Sequence, residues 1–380
     1  MAKRKAQPRG GGFQQFVRDY TRGVSAADLS KTIDQDLARA YRVLTRDQGA
    51  LDETQGGPKR MFARLRLFFL GLSYKLTPAR RLVFAIGVIA AVVGLLGIKF
   101  AVNRQGTHIS VESSPLFFTI SFLALLYLLA TELTERVLVR DELQVARQLQ
   151  SELLPRAAPE VPGWQFAHSY RTANEVGGDY YNFRTLDDGR LALMMGDASG
   201  HGMAAGLLMA TAHATLQTVL DVESEPERVI ALLNRNLCRT GDRRAFVTLF
   251  YGVLDPAGGE LRYVCCGHPF PLLLRSDGAI DELGEGGMPL GIRQNIATRT
   301  LATRIAPGDR LLLYTDGLPE AVSHQNEAFG FARLRELLAA GGEAPEIHAR
   351  VLAAFDRHVG PGELHDDLTL LVVARQPPES

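Results

Sequence analysis

Residues 191–205 read LALMMGDASGHGMAA: an apolar strand pattern that closes on Asp197, a glycine-rich turn, and the start of an apolar helix. Further apolar runs predict a set of strands, at 191–195, 246–254, 261–266, 271–275, 310–315 and 368–374. Helical patterns occupy 203–220, 226–239, 332–340 and 345–358. Turn signals at 255–259 (DPAGG) and 276–278 (SDG) indicate antiparallel hairpins. Strands and helices without strict alternation predict an α+β domain with helices on an antiparallel sheet core, and not a doubly wound fold.

Composition and charge bound the remaining questions. The 380 residues are 46% hydrophobic and 22% charged, which excludes a disordered chain, and three cysteines exclude a disulfide scaffold. The zero net charge hides a division, because residues 1–81 carry 17 Lys and Arg against 7 Asp and Glu, whereas residues 131–380 carry 23 against 34. Such asymmetry suggests a nucleic-acid arm or a membrane-facing region. The length predicts about two structural units.

Two apolar runs favour the membrane. The run LVFAIGVIAAVVGLLGI at 82–98 contains no charge and predicts a transmembrane helix, which extends over about 82–102 if Lys99 reaches the headgroups. The run LFFTISFLALLYLLA at 116–130 predicts a weaker second span over about 115–131. Small residues spaced four apart in the first run, such as Gly87 and Ala91 or Ala90 and Gly94, are a weak hint of helix dimerisation, since this spacing is common by chance.

The distribution of basic residues predicts the topology. They crowd the N-terminal side of the first span, and the loop between the spans holds only Arg104, so the positive-inside rule places the N-terminus in the cytoplasm. No secretory signal peptide is expected, because no apolar segment follows the basic start within the first thirty residues. Two spans return the C-terminal part to the cytoplasm. We therefore expect a multi-pass protein of the cell (inner) membrane whose partner on this side is the lipid bilayer.

The predicted organisation has four parts. Residues 1–81 form a basic, helical, cytoplasmic region with amphipathic stripes at 29–44 and 61–76, and 82–130 hold the two spans. Residues 131–155 form a linker helix that Pro155 ends, and 156–376 form the last domain. An apolar stripe on the linker pairs with a second copy as a coiled-coil homodimer or packs on its own domain, and two heptads do not decide between these: Val139, Leu143, Ala146, Leu149 and Leu153.

Five acidic residues stand where apolar strands begin or end: Asp179, Asp197, Asp316, Asp366 and Asp367. Each alone is most simply a turn residue or a helix cap. Together at one edge of a sheet they supply the all-carboxylate ligand set that Mg²⁺ or Mn²⁺ prefers. The scarcity of cysteine and the absence of an HExxH pair argue against zinc.

Seven motifs in order carry a resemblance: GGDYYNF (177–183), GDASGHGMAA (196–205), FVTLFYGVLD (246–255), CGHPFPLLL (266–274), MPLGI (288–292), LLLYTDGLPEA (311–321) and HDDLTLLVV (365–373). This order resembles the metal-dependent serine/threonine protein phosphatases of the type 2C superfamily, and more narrowly their bacterial sporulation and stress-response branch. In that branch the linker often ends in a QxxLLP-like signature, as at 150–155 here. The resemblance covers residues about 140–375 and does not cover 1–130.

The resemblance implies an αββα sandwich with two divalent cations, Mn²⁺ or Mg²⁺, at the edge between two sheets. Asp197 corresponds to the carboxylate that bridges both cations, and the Ala198 carbonyl lies near the second. Asp316 and Asp366 correspond to the ligands that complete the first cation site, and Asp179 to an acid in or just outside the coordination sphere of the second. Two cations lower the pKa of a bridging water, whose hydroxide attacks phosphorus in line without a phosphoenzyme.

Other polar residues near these motifs are candidates for supporting roles. His201 is a candidate general acid for the serine leaving group or a structural histidine, His268 is interpreted as structural, and His365 as orienting a neighbouring ligand. Asp367 ranks below Asp366 as a ligand. The branch usually has an Asp where this chain has Asn182, which could weaken a peripheral metal or a substrate contact.

The sequence thus predicts a membrane-anchored phosphoprotein phosphatase that hydrolyses phosphoserine or phosphothreonine on a cytoplasmic signalling protein; by resemblance, the substrate is an anti-sigma-factor antagonist. The alternative is a membrane scaffold whose phosphatase-like domain binds a phosphoprotein without turnover, against which the intact Asp197, Asp316 and Asp366 speak. A metal-dependent nuclease would need a basic channel, and the acidic balance of the last domain argues against nucleic acid as a partner.

Overall fold

The computed structural model describes residues 70–97, 99–104, 107–240, 245–362 and 364–377. The chain divides into two compact units, residues 1–136 and 137–380, which are described separately. The amphipathic stripe predicted at 29–44 lies outside the described residues, as does most of the one at 61–76.

The first unit contains two apolar helices joined by a strand hairpin. Helix α1 spans Pro78–Leu96, strands β1 (Lys99–Arg104) and β2 (Thr107–Glu112) form the antiparallel hairpin, and α2 begins at Ser114. Proline at the start of α1 is favourable because its missing N–H would have no partner there. Gly97 ends α1 in the left-handed region, with φ 61°. The expectation of a span to residue 102 was therefore too long, since residues 99–104 are strand.

Helix α2 is one continuous element of 40 residues, Ser114–Leu153, so its residues belong to both units. The predicted second span and the predicted linker helix are parts of this single helix. No proline or glycine occurs between Leu116 and Leu153, which explains why nothing interrupts it.

Small residues of α1 pack against α2 of the same chain. A Cβ at Gly87 would lie 3.1 Å from the Cβ of Ala124, and one at Gly94 would lie 3.2 Å from the Phe118 ring. Gly87, Ala90 and Gly94 are the buried residues of α1. The stripe that hinted at dimerisation is thus occupied by the second helix of the hairpin, because small residues let two helices approach closely.

The two helices of the first unit are antiparallel. Arg80, in the first turn of α1, donates hydrogen bonds of 2.7 and 2.6 Å to the two carboxylate oxygens of Glu135 in α2. This bidentate pair holds the start of α1 beside the part of α2 that follows the second apolar run.

Three described helices are long and apolar enough to cross a membrane: α1, α2 and α3 (Met203–Leu220). Helix α3 differs from the other two in its surroundings, because it packs on the sheets of the second unit and contributes Met209, Ala212 and Leu216 to their core. Its apolar composition is explained by burial within the domain.

The second unit contains two five-stranded antiparallel sheets. The first has the strand order β10-β7-β6-β5-β4 and the second the order β3-β12-β11-β8-β9. The strands of the first sheet are β4 (Asp179–Thr185), β5 (Leu191–Ala198), β6 (Val247–Leu254), β7 (Glu260–Cys266) and β10 (Leu301–Arg304). Those of the second are β3 (Trp164–Arg171), β8 (Leu272–Leu274), β9 (Ile280–Glu282), β11 (Arg310–Tyr314) and β12 (Leu368–Arg375).

Helices cover the outer face of each sheet. Helices α3 and α4 (Pro226–Thr240) pack on the first sheet, and α5 (Phe331–Ala339) and α6 (Ala344–Val359) belong to the second. Along β11, Leu311 and Leu313 lie in the core between the sheets, whereas Leu312 lies in the core beneath α5 and α6. Both faces of such strands are buried, which explains their uninterrupted apolar sequences. The predicted α+β class, with two antiparallel sheets flanked by helices, is confirmed.

Candidate active site

Two acidic residues lie opposite each other on neighbouring strands of the first sheet. Asp179, the first residue of β4, is paired in register with Asp197 near the end of β5. Directly opposed residues in an antiparallel pair place their side chains on the same face, a few ångströms apart. Asp179 is almost completely buried, with 1% of its surface exposed, so this strand pair brings two carboxyl groups together in a poorly solvated place.

The second sheet brings further acidic residues to one of its ends. Strands β11 and β12 are antiparallel neighbours with Tyr314 opposite Leu370. Asp316 follows β11 and Asp366 and Asp367 precede β12, so all three emerge at the same end of this pair. The predicted grouping of acidic residues at strand ends is present in the structure.

Two threonine hydroxyls connect Asp179 to the second sheet. Thr315 and Thr369 donate hydrogen bonds of 2.7 and 2.6 Å to the same oxygen, Oδ2, of Asp179. Thr315 also accepts a hydrogen bond of 3.0 Å from the backbone N–H of Thr369. Both threonines are fully buried. Sequence reasoning missed them, although each stands beside a predicted acidic ligand, in the motifs YTDG and DDLT.

The pKa values show how strongly these carboxyl groups interact. Burial, followed by the negative charges of Asp316 and Asp366, raises the pKa of Asp197 to about 8. Burial also raises the pKa of Asp179 well above its usual range, with Asp197 as the next cause, even though the threonine hydroxyls oppose the shift. The pKa of Asp316 is raised by burial and by Asp366. A group of carboxylates that resists ionisation in this way binds protons or cations.

No cationic side chain compensates these charges within the described part of the chain. Arg and Lys form ion pairs at many places there, but none with Asp179, Asp197, Asp316, Asp366 or Asp367. Burying an ionised carboxylate without a cationic partner costs free energy of folding. The donor chemistry therefore fits hard divalent cations such as Mg²⁺ and Mn²⁺.

The side chains do not form a closed metal cage. Among the described residues, no three His, Cys, Asp or Glu side chains converge into a group that could hold a metal ion. Mg²⁺ commonly keeps several of its waters and uses only one or two carboxylates. The arrangement thus fits hydrated cations that lie in a shared negative field, and the individual ligand assignments stay predictions.

Gly178 leaves space in front of two oxygen atoms. A Cβ at this position would lie 2.9 Å from Asp197 Oδ1 and 2.7 Å from the Ala198 carbonyl oxygen. These are the two oxygens that the sequence assigned to metal binding. A side chain larger than hydrogen would therefore clash with these two oxygens.

Asp367 organises the backbone around the site. Its Oδ1 accepts a hydrogen bond of 2.7 Å from the Ala173 N–H, and its Oδ2 accepts one of 2.5 Å from the Gly178 N–H. Asp367 is 6% exposed, whereas Asp366 is exposed. With both oxygens engaged, Asp367 holds the Gly178 turn in place.

The histidines occupy contrasting environments. His201 is exposed in the turn 199–202 before α3, and no side-chain hydrogen bond of His201 is found in the described structure. His268 is buried, and its Nδ1 lies 3.1 Å from the Thr248 hydroxyl, which accepts a 3.2 Å hydrogen bond from the Asp197 N–H. Burial lowers the pKa of His268 to about 3, so this histidine is neutral and supports the strand that carries Asp197. His365 is exposed next to Asp366.

Asn182 lies away from the acidic group. It is three residues from Asp179 in the regularly paired strand β4, and side chains alternate between faces along a strand. Asn182 therefore lies on the face opposite to Asp179. Its Oδ1 accepts a 2.7 Å hydrogen bond from the Phe183 N–H.

Comparison with known proteins agrees with this fold. Residues 187–376 match the family described as stage II sporulation protein E (SpoIIE), and the chain belongs to this family. Protein IcfG of Synechocystis sp. is 30% identical over 264 residues, which cover 62% of this chain and 42% of IcfG. Phosphoserine phosphatase RsbU of Bacillus subtilis is 25% identical over 245 residues, which cover 63% of this chain and 71% of RsbU.

A solved structure shows the same fold. The SiaA PP2C domain of Pseudomonas aeruginosa superposes with a TM-score of 0.56 at 21% identity, covering 64% of this chain and 99% of that domain. The second unit therefore has a PP2C-type fold. The chain spans less than half of the length of IcfG.

Removal of one threonine hydroxyl tests the connection between the sheets. Thr369→Val leaves the buried Asp179 carboxyl with one donor fewer and should lower the free energy of unfolding by about 1–3 kcal/mol, as expected when a buried acceptor loses a hydrogen-bond partner. Thr369→Ser keeps the hydroxyl and should lose clearly less. Denaturant unfolding of both variants measures the difference, and equal losses would show that the hydroxyl contributes nothing.

The raised pKa of Asp197 predicts how metal binding depends on pH. Between the pKa of an unfolded Asp, about 3.9, and the folded value of about 8, the folded protein holds a proton that the unfolded chain has lost. The metal-free protein therefore loses stability as the pH rises through this window. Because Mn²⁺ competes with that proton, it should raise the melting temperature more at about pH 8.5 than at about pH 6.5.

Differential scanning calorimetry with and without Mn²⁺ measures this effect. Asp197→Asn is the control, because it removes the titrating group and should flatten the pH dependence of the metal-free protein. A Mn²⁺ shift that is the same at both pH values in the unmodified protein would contradict the assignment.

Proposed function

We propose that this protein is a membrane-anchored phosphoprotein phosphatase that hydrolyses phosphoserine or phosphothreonine on a cytoplasmic signalling protein. The observation that carries the proposal is the group of carboxylates without a cationic partner at the ends of β4, β5, β11 and β12, of which Asp179 and Asp367 are buried. Membership of the SpoIIE family and similarity to RsbU, a phosphoserine phosphatase, support this chemistry.

The proposed ligands divide between the two sheets. From the first sheet, Asp197 and the Ala198 carbonyl would hold the cations, with Asp179 in or just outside the coordination sphere. From the second sheet, Asp316 and Asp366 would complete the site. Two bound divalent cations, Mn²⁺ or Mg²⁺, would activate a water for in-line attack on phosphorus and neutralise the phosphoryl oxygens.

The protein groups orient these ligands and handle the leaving group. Thr315 and Thr369 fix one oxygen of Asp179, and Asp367 fixes the Gly178 turn. Exposed His201, at the start of α3, is available to donate a proton to the serine or threonine oxygen as the ester bond breaks.

The hairpin of the first unit supports membrane anchoring. Many large apolar side chains of α1 and α2 are exposed, for example Ile89, Leu95 and Phe122 at 62%, 77% and 63%. Such surface is stable in lipid and costly in water. The Arg80–Glu135 pair places both ends of the hairpin on one side, and the basic N-terminal region assigns that side to the cytoplasm. Retention in the membrane pellet after alkaline extraction tests the anchor.

The linker part of α2 offers a route for regulation within the second unit. Gln150 is buried, donates a hydrogen bond of 2.5 Å to the Gly177 carbonyl and accepts one of 3.0 Å from the Gly177 N–H. Gly177 precedes Gly178, whose N–H donates a hydrogen bond to Asp367 and whose Cα lies beside the candidate metal-binding oxygens, since a Cβ there would be within 3 Å of them. We infer that an upstream signal, or homodimerisation through the linker helix, changes activity through this contact. The substrate that we propose is a phosphorylated anti-sigma-factor antagonist.

Phosphate release from a phosphoserine peptide by the full chain in lipid vesicles tests the activity. Release should require Mn²⁺ or Mg²⁺ and should be abolished by Asp197→Asn, because this change removes a negative ligand while preserving the shape of the side chain. Asp187→Asn, in the exposed β4–β5 turn, is the matched control and should retain activity. A folded protein that releases no phosphate at any concentration of either metal would refute the proposal and favour a binding role.

A second variant tests the linker contact. Gln150→Ala leaves the Gly177 amide groups unpaired and should raise the Mn²⁺ concentration needed for half-maximal activity by about tenfold, equivalent to ~1.4 kcal/mol. Gln148→Ala, on the exposed face of the same helix, should leave this concentration unchanged. A Gln150→Ala protein with the unmodified Mn²⁺ requirement would show that the linker does not act on the site.

A further inference from the structure

A cavity of about 190 Å³ adjoins the acidic site on the side of the second sheet. Its walls come from three segments that lie far apart in the sequence: the turn 317–322 after β11, the end of α6, and residues 364–366 before β12. Gly317, which follows Asp316, and Asp366, which precedes Asp367, both line the cavity. The cavity therefore lies directly beside the acidic residues of the second sheet.

Several apolar residues line the cavity. Phe355 and Val359 of α6 line it together with Leu364 and the side chains of Ala321 and Val322. Phe355 is 2% exposed and belongs to the core beneath the second sheet, so this wall is rigid. A methylene chain would find contact there along most of its length.

The mouth of the cavity is acidic. Glu320 and Asp366 line it and are exposed, and so is the neighbouring His365. No Lys or Arg side chain is among the described residues that line it. An anionic group at the mouth would be repelled and a cationic group attracted.

We propose that this cavity binds a Lys or Arg side chain of the protein substrate, close in sequence to the phosphorylated residue. The aliphatic stem lies on Phe355 and Val359, and the cationic head lies at Glu320. Long basic side chains combine an apolar stem with a charged end, which is the combination that this cavity presents. The inference rests on the proposed phosphatase activity and adds a substrate preference to it.

A peptide series measures the preference. Phosphoserine peptides carry Lys, norleucine, Glu or Gly at one position within two residues of the phosphoserine, and p-nitrophenyl phosphate serves as a substrate without flanking residues. At one of the positions tested, the Lys peptide should have a kcat/KM about two- to fivefold higher than the norleucine peptide, as expected for an exposed ion pair. The Glu peptide should have the lowest kcat/KM of the series. Norleucine shares the stem of Lys, so this comparison isolates the charge.

Two variants locate the preference in the cavity. Glu320→Lys should reverse the order of the Lys and Glu peptides, and Val359→Trp should fill the cavity and remove the advantage of long side chains over Gly. Each variant is normalised to its own hydrolysis of p-nitrophenyl phosphate, which separates effects on the reaction from effects on the flanking residue. Glu336→Lys is the matched charge control, since Glu336 is exposed on α5 and does not line the cavity.

The outcomes separate the two proposals. Hydrolysis of p-nitrophenyl phosphate without any preference for Lys over norleucine overturns this inference and leaves the proposed function standing. A Lys preference that survives both Glu320→Lys and Val359→Trp also overturns it. Release of phosphate from none of the substrates overturns the proposed function and this inference together.

Discussion

The constraint on which the site depends is the burial of negative charge between two sheets. Asp179 is almost inaccessible to water, faces Asp197 across a strand pair, and is held by hydroxyls of Thr315 and Thr369 from the opposite sheet. Burial and the charge of Asp197 favour the protonated acid or require a cation, whereas the threonine hydroxyls oppose this shift only in part. The fold therefore stores an unfavourable electrostatic arrangement that divalent cations relieve, which is how a metal site is coupled to the stability of its domain.

The apolar core stabilises the strands that carry these acidic residues. Strands β5, β11 and β12 are buried on both faces, so their backbones are held by packing and by ladders of hydrogen bonds on each side. The acidic residues stand only at the ends of these strands, where the ladder stops and the chain turns. Their carboxyl groups are thus positioned by rigid elements without disrupting the core. Asp367 also holds the backbone beside the site, because it accepts hydrogen bonds from the N–H groups of Ala173 and Gly178.

Much of the fold could be predicted from local pattern. The bounds of α3, Met203–Leu220, agree with the predicted helix, and the long apolar strands agree within one or two residues except at the end of β5. Strands β3 and β4 were missed because aromatic and polar residues interrupt their apolar pattern, as in WQFAHSYR and DYYNFRT. The short strands β9 and β10 were missed as well, since their residues are partly exposed and their pairing comes from the sheet.

The sequence by itself determined the acidic residues at strand ends, the chemistry of their oxygen ligands and the apolar hairpin, because each is written in a short stretch of chain. Only the tertiary structure decided which residues that are distant in the sequence come into contact. Thr369 reaches Asp179 over 190 residues, Gly94 packs on Phe118 of its own chain, and Phe355 lines a cavity beside Asp366. These contacts follow from how the sheets and helices stack, and local periodicity carries no information about partners that distant packing brings together.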